Sequence, residues 1–173
     1  MTVFETERLV LRRFTTDDAP FILRLLNEPS FIENIADRGV RTLEQAAEYI
    51  TNGPMASYQA NGFGLYLVAV KETGEAAGMC GLLRRDTLPH PDVGYAFLPE
   101  FWSRGYAFEA AKATLDYGRR ELGMGTILAI VSPGNAPSIA LLRKLGFVFT
   151  QNVQTRPDAP ETAVYELAAS AES

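Results

Sequence analysis

Between residues 93 and 131 the chain reads as an apolar strand, a long amphipathic helix and a second apolar strand. Val93 to Leu98 stops at Pro99, and Ala107, Ala110, Ala111, Thr114, Leu115, Gly118 and Leu122 then recur at spacings of three and four. That period buries one face of a helix. Gly123 and Gly125 end it, and Thr126 to Val131 forms the next strand. Two strands joined through a helix lie parallel in one sheet, with the helix packed on a face.

The remaining segments attach to this unit. Residues 63 to 71 and 76 to 85 are β-rich and joined by Glu72-Thr73-Gly74-Glu75, which predicts an antiparallel hairpin. Residues 7 to 14 suit an opening strand. Thr15 and Thr16 before Asp17 and Asp18 start a helix whose stripe is Phe21, Ile22, Leu25 and Leu26, closed by Asn27 to Pro29. Thr42 with Gln45 forms a capping box for a second helix, expected to end at Gly53-Pro54. Ser138 to Leu145 reads as a helix, and residues 147 to 154 and 162 to 168 as final strands. The expected class is α+β: a mixed, mostly antiparallel sheet of six to seven strands with helices on both faces. Residues 1–173 read as one domain, with a frayed tail over about 168–173.

A length of 173 residues suits one core, since about 150 residues bury roughly 68–70% of their unfolded surface. A net charge of −5 gives no general attraction to nucleic acid or to anionic membranes. The single Cys80 excludes an intrachain disulfide and a zinc site of several thiolates, so no metal is expected and a reducing compartment fits. No apolar stretch approaches the roughly 20 residues that span a bilayer. Glu5 and Glu7 interrupt any signal-peptide core. The expected location is the cytoplasm.

Asp92 to Phe108 carries the chemistry. A strand runs through a glycine-containing turn directly into a helix, which presents unpaired backbone N–H groups at the positive end of the helix dipole. Gly105 and Ala107 leave the main chain open to an anion, and Arg104 adds a charge. The pattern is neither Gly-x-x-x-x-Gly-Lys nor Gly-x-Gly-x-x-Gly. Taken alone, the same residues are also compatible with a plain turn packed closely on a sheet.

Three blocks together resemble the GNAT superfamily of acetyl-CoA-dependent N-acetyltransferases, and within it the branch that acetylates ribosomal-protein N-termini. They are Glu5-Thr-Glu-Arg-Leu-Val-Leu-Arg, then Val93 through Ala110, then Asn135-Ala-Pro-Ser-Ile-Ala-Leu-Leu-Arg-Lys-Leu-Gly-Phe. The signature Gln/Arg-x-x-Gly-x-Gly/Ala is met at Gly105 and Ala107, with Trp102 in its first position. The resemblance implies a GNAT-like fold in which the strands at Val93–Leu98 and Thr126–Val131 splay around acetyl-CoA. It implies that the main chain at Phe97 and Leu98 pairs with the pantetheine arm, while the amides of Arg104, Gly105, Tyr106, Ala107 and Phe108 hold the pyrophosphate. Asn135 is expected both as a helix N-cap and as a pantetheine partner. Lys144, with Arg143, is placed near the phosphates, although cations at a helix end also compensate the dipole.

For catalysis the resemblance points to Asp92, where relatives often carry a glutamate, as the group that takes the ammonium proton, directly or through water. Glu100 is a weaker alternative. A backbone N–H near Phe97 or Leu98 is expected to stabilise the oxyanion. Relatives often use a tyrosine at the position of Leu142 to meet the departing thiolate; here Ser138, one turn earlier, is placed near the sulfur. A covalent Cys80–His90 route needs both groups together and an orienting third. The acceptor surface is expected from about Glu28 to Arg41, including Phe31, Glu33 and Asp37, and from Gln154 to Thr162. The acceptor is an amine: a peptide or protein N-terminus, or a small molecule. A homodimer is compatible with the resemblance. The competing readings are a non-catalytic CoA-binding sensor or scaffold of the same fold, and a purely structural domain with no cofactor affinity.

Overall fold

The computed structural model describes residues 1–154 and 157–169 and opens with an antiparallel hairpin, β1 (Thr2–Glu5) and β2 (Leu9–Arg13). Only the second of these strands was legible in the alternation of residues 7–14. β1 is four residues long and only half-buried, too short to carry a pattern. It accounts for a sheet of eight strands where six to seven were expected.

From β2 the sheet continues antiparallel through β3 (Leu65–Val70), β4 (Ala76–Leu83) and β5 (Asp92–Phe97). β5 then meets β6 (Ile127–Val131) in the parallel sense, joined through the helix α5 (Tyr106–Arg120). β8 (Thr162–Leu167) lies between β6 and β7 (Val148–Val153), so the order is β1-β2-β3-β4-β5-β6-β8-β7. The sheet is mixed and mostly antiparallel, as the sequence predicts. The segment between β2 and β3 forms the helices α1 (Ala19–Leu26), α2 (Pro29–Asn34), α3 (Leu43–Ile50) and α4 (Ala56–Asn61), and α6 (Ala136–Lys144) lies between β6 and β7.

Two helical features depart from the expectation. Asn27 to Pro29 does not simply end α1, because Pro29 occupies the first turn of α2, where a missing N–H is harmless. Gly53-Pro54 does not end the following helix either. A wider π turn over Thr51–Met55 carries the chain into α4, and its longer hydrogen-bond spacing relieves the clash of a proline ring with the carbonyl four residues back. Gly62, at φ +81°, supplies the actual stop. The capping box at α3 forms as predicted, with the Gln45 amide donating to Thr42 Oγ1 at 3.1 Å.

Residues opposed in the ladder share a face, so Tyr66, Cys80 and Tyr95 point one way and Leu67, Met79 and Ala96 the other. Cys80 Sγ lies 3.4 Å from Thr114 Oγ1 of α5, and Tyr95 Oη lies 2.7 Å from Ser138 Oγ of α6. Those two helices therefore cover the first face. Arg12, which opposes Leu67, pairs with Asp18 at the start of α1 at 2.8 Å, and α3 packs on α1 over the second face.

α5 sits close to the sheet because its inward residues are small: Ala110, Ala111, Thr114 and Gly118, with Leu115 beside them. A Cβ on Gly118 would stand 2.8 Å from Leu82 Cδ1. Among the described residues no helix is long and apolar enough to cross a membrane. Of the tail expected to fray, the Ala168 carbonyl accepts a hydrogen bond from Arg119 at 2.5 Å, and residues 170–173 lie outside the described residues.

The tightest point of the sheet is Gly81, where a Cβ would come within 2.0 Å of the Gly64 carbonyl oxygen. Gly81→Ala must push β3 and β4 apart, at about 1–3 kcal/mol for an overpacked core position. Thermal unfolding of this variant is expected to fall by roughly 2–12 °C for a domain of this size.

Candidate active site

β5 and β6 pair at a single point. Asp92 opposes Leu128, the Leu128 amide donates to the Pro91 carbonyl at 2.8 Å, and beyond this the strands part. The phase of the other ladder decides which backbone groups of β5 face the gap. Leu98 N–H donates to the Ala77 carbonyl at 2.9 Å, so alternation directs Asp92, Gly94, Ala96 and Leu98 toward β4 and Val93, Tyr95 and Phe97 toward β6.

This corrects the expectation for Leu98. Its amide is bound to Ala77 and its carbonyl accepts from Phe101 N–H at 2.9 Å, so neither can meet a ligand in the gap. Phe97 is half available: the Trp102 indole donates to its carbonyl at 2.9 Å, and its N–H faces the gap. Tyr95 presents both its N–H and its C=O there, a position that sequence reasoning missed because the strand's phase is invisible in its residues.

The mouth of the gap leads to the start of α5. Gly105 is the N-cap at φ +80°, in the left-handed region that favours glycine, and no side chain caps the helix. The N–H groups of Tyr106, Ala107 and Phe108 therefore have no intrahelical partner and point outward together. Arg8 braces this turn from the β1–β2 hairpin. Its Nη1 donates to the Arg104 carbonyl at 2.9 Å, its Nε donates to Glu109 Oε1 at 2.7 Å, and its Cζ lies 4.6 Å from the Tyr106 ring centroid. Glu109 also accepts from the Arg8 amide at 2.9 Å and from Thr6 Oγ1 at 2.5 Å. Burial opposes its charge, but these bonds outweigh burial and hold the carboxyl below its usual range.

A cavity of about 410 Å³ opens beside the turn, lined among others by Arg8, Gly105, Phe108, Lys112 and Lys144. Lys144 reaches it from the last turn of α6 and sits 4.3 Å from the centroid of the Phe108 ring. The sequence-predicted Gly105, Phe108 and Lys144 thus meet at one place, joined by Arg8 and Lys112. Asn135 is the N-cap of α6, its Oδ1 accepting from the Ser138 amide at 3.4 Å. An open strand edge and an uncapped helix start fit a long ligand with a polar arm and phosphate groups, and the cations Arg8, Lys112 and Lys144 share the cavity wall with Glu7, Glu109 and Asp116.

Asp92 lies where the strands begin to part, with its side chain on the face of α1 and α3 and only 1% exposed. Arg85 Nε donates to it at 3.1 and 3.3 Å. Burial raises its carboxyl to about 6, and the Arg85 charge pulls in the opposite direction. Ser138 stands on the other face of the sheet, bonded to Tyr95. Leu142 is buried and apolar. Glu100 is engaged on the surface with Arg24, which leaves Asp92 the acid at the gap. Cys80 is fully buried beside Thr114, burial lifts its thiol to about 12, and His90 is exposed in a loop, so the covalent pair is not assembled.

The segment proposed for acceptor contacts needs one correction. Phe31 is a core residue, 4% exposed, and cannot line a surface, whereas Glu33 and Asp37 are exposed, the latter paired with Arg41 at 2.8 Å. Ser132 Oγ donates to the Asn34 carbonyl at 3.0 Å and ties the end of α2 to the end of β6. In the second acceptor region, Thr155 and Arg156 lie outside the described residues.

Residues 8–148 match the acetyltransferase (GNAT) domain family. The chain is 33% identical to the uncharacterized N-acetyltransferase p20 of Bacillus licheniformis, over 85% of this chain and 83% of that protein. It superposes on the crystal structure of an acetyltransferase from Agrobacterium tumefaciens with a TM-score of 0.78 and 28% identity, covering 95% of this chain and 92% of that one. The fold is also that of RimL, a ribosomal L7/L12 α-N-protein acetyltransferase solved with coenzyme A, with a TM-score of 0.84, 16% identity and 98% coverage of both chains.

Arg8 holds the turn without lying in the helix that it braces, so its removal separates bracing from folding. Arg8→Ala is expected to weaken acetyl-CoA binding about five- to tenfold, the loss of one to two net hydrogen bonds, as read by titration calorimetry. Unchanged affinity would mean that the turn keeps its shape without the brace.

Proposed function

The chain belongs to the GNAT acetyltransferase family, and on that premise we propose that residues 1–173 act as one unit that moves an acetyl group from acetyl-CoA to a primary amine by direct attack in a ternary complex. The observation that carries this reading is the parting of β5 and β6 after one pair, with open backbone groups along β5 that lead to the uncapped start of α5. Acetyl-CoA brings the activated thioester. The chain's own residues bind it, orient it and handle the protons.

Tyr95 and Phe97 hold the pantetheine arm through their main chain, with Asn135 across the gap. The amides from Gly105 to Phe108, the Arg104 charge and Lys144 hold the phosphates. Because successive residues of β5 alternate faces, Asp92 and Ser138 work from opposite sides of the sheet. The amine approaches from the side of α1–α3, where the α2 segment is pinned to β6, and the sulfur departs toward α6.

Asp92 receives the ammonium proton through a water, since its short side chain is almost fully enclosed. A carboxyl near 6 is ionised at neutral pH and still basic enough to take that proton. The acceptor class is a peptide or protein N-terminus, or a small primary amine. Acetyl-CoA-dependent thiol release across a panel of amines and short peptides, corrected for hydrolysis, tests this reading and ranks the acceptors.

Turnover should decline tenfold per unit as pH falls below about 6, because protonated Asp92 cannot act as a base. Asp92→Asn is expected to lower kcat about 100-fold or more and to remove this limb, with acetyl-CoA affinity unchanged. Arg85→Ala removes the charge that favours ionised Asp92, so the limb moves to higher pH. A pH–rate profile that ignores both substitutions would eliminate Asp92 as the base.

A further inference from the structure

Among the described residues, the side-chain hydrogen bonds that cross the mouth from β5 to the β6–α6 unit come from Tyr95, beside the apolar packing of Val93 in the same region. Tyr95 reaches from β5 to the first turn of α6, where its Oη lies 2.7 Å from Ser138 Oγ and 3.5 Å from the Ser138 carbonyl. The ladder between β4 and β5 runs from Asp92 to Phe97 through main-chain groups, so the phenol hydroxyl is not what holds the strand.

What the hydroxyl controls is the direction of a proton. A serine hydroxyl has one hydrogen and two acceptor lone pairs, so a donor aimed at Oγ sends the serine's own hydrogen elsewhere. Either hydroxyl can donate across the 2.7 Å contact, and a phenol, more acidic than an aliphatic alcohol, is the better donor of the two; burial keeps it protonated. The ionisable group that faces it from β4 is Cys80, kept a neutral thiol by burial, and its hydrogen-bond partner on α6 is Ser138. The Ser138 backbone is itself fixed by the Asn135 cap.

We propose that Tyr95 is a positioning residue that donates into Ser138 Oγ and so turns the single Ser138 hydroxyl hydrogen toward the sulfur that leaves when acetyl is transferred. The inference rests on the acetyl-CoA reading above. The carbon–sulfur bond breaks, its electron pair stays on sulfur, and the Ser138 hydrogen bonds to that charge. Both hydroxyls keep their protons. The thiolate takes its final proton from solvent; of the two protons that the ammonium loses in becoming an amide this offsets one, and the other is released through Asp92 to solvent.

The test is a titration of the thiol of bound CoA by the ultraviolet absorbance of its thiolate, which needs no acceptor. A hydrogen bond that favours the thiolate lowers the thiol pKa. Ser138→Ala is therefore expected to raise it by roughly one unit, Tyr95→Phe by a smaller step in the same direction, and the double variant no further than Ser138→Ala. In steady state, Tyr95→Phe should lower kcat severalfold with KM for acetyl-CoA unchanged, a split that a purely structural role would not produce. A thiol pKa indifferent to Tyr95→Phe or to Ser138→Ala, or shifts that add in the double variant, overturns the proposal. A wild-type protein that does not bind CoA overturns the acetyl-CoA reading and this proposal together, and that result is visible before any variant is made.

Discussion

The single parallel pair between β5 and β6 is the constraint on which the site depends. Strand backbone groups need partners, and a sheet interior normally supplies them from the next strand. Here Asp92 and Leu128 meet and the strands then diverge, so Tyr95 and Phe97 are left with groups that only a ligand or water can satisfy. The sheet survives the gap because β5 is held on its other edge by six consecutive pairings with β4, and β6 by β8. Gly78, where a Cβ would come within 2.3 Å of the Ala96 carbonyl oxygen, lets the β4–β5 ladder close tightly.

The gap becomes a functional site through what the chain places at its two ends. At the wide end, the uncapped start of α5 offers amides and the positive end of a helix dipole. Arg8 and Glu109 form a charged brace across some hundred residues of sequence, and Arg8 is itself partly exposed, so its value lies in geometry more than in net stabilisation. At the narrow end, burial and Arg85 act against each other on Asp92, and burial prevails. The Asp92 carboxyl and the Ser138 hydroxyl thus stand on opposite faces of the sheet, an arrangement that in the proposed reaction keeps the incoming amine and the departing sulfur apart.

Much of this was legible in the residues. The capping box at Thr42 and Gln45, the stripe of α5, the Gly105 turn and the Asn135 cap all follow from local chemistry, and each formed. The proline at 54 misled because a π turn accommodates it, an option that only the surrounding packing selects. β1 escaped notice because four half-exposed residues hold no period. Arg8 lay within one of the blocks that carry the family resemblance, yet its task was unreadable: its partners Arg104 and Glu109 are distant in sequence. Leu98 was misassigned for a subtler reason. Residues alternate along a strand, but which alternate set faces the gap depends on the neighbouring strand's register.

The division between the two sources of information follows the range of the interactions. By itself the sequence determined the class of the fold, the caps at Thr42 and Asn135, and the glycine turn that opens α5, because these arise from contacts among near neighbours and from side-chain chemistry. Only the tertiary structure decided that Tyr95 and Phe97 face the gap, that Tyr95 meets Ser138 across it, that Arg8 braces the turn and that Asp92 is buried against Arg85. Those outcomes depend on strand register and on pairings between distant segments, and neither is encoded in the order of neighbouring residues.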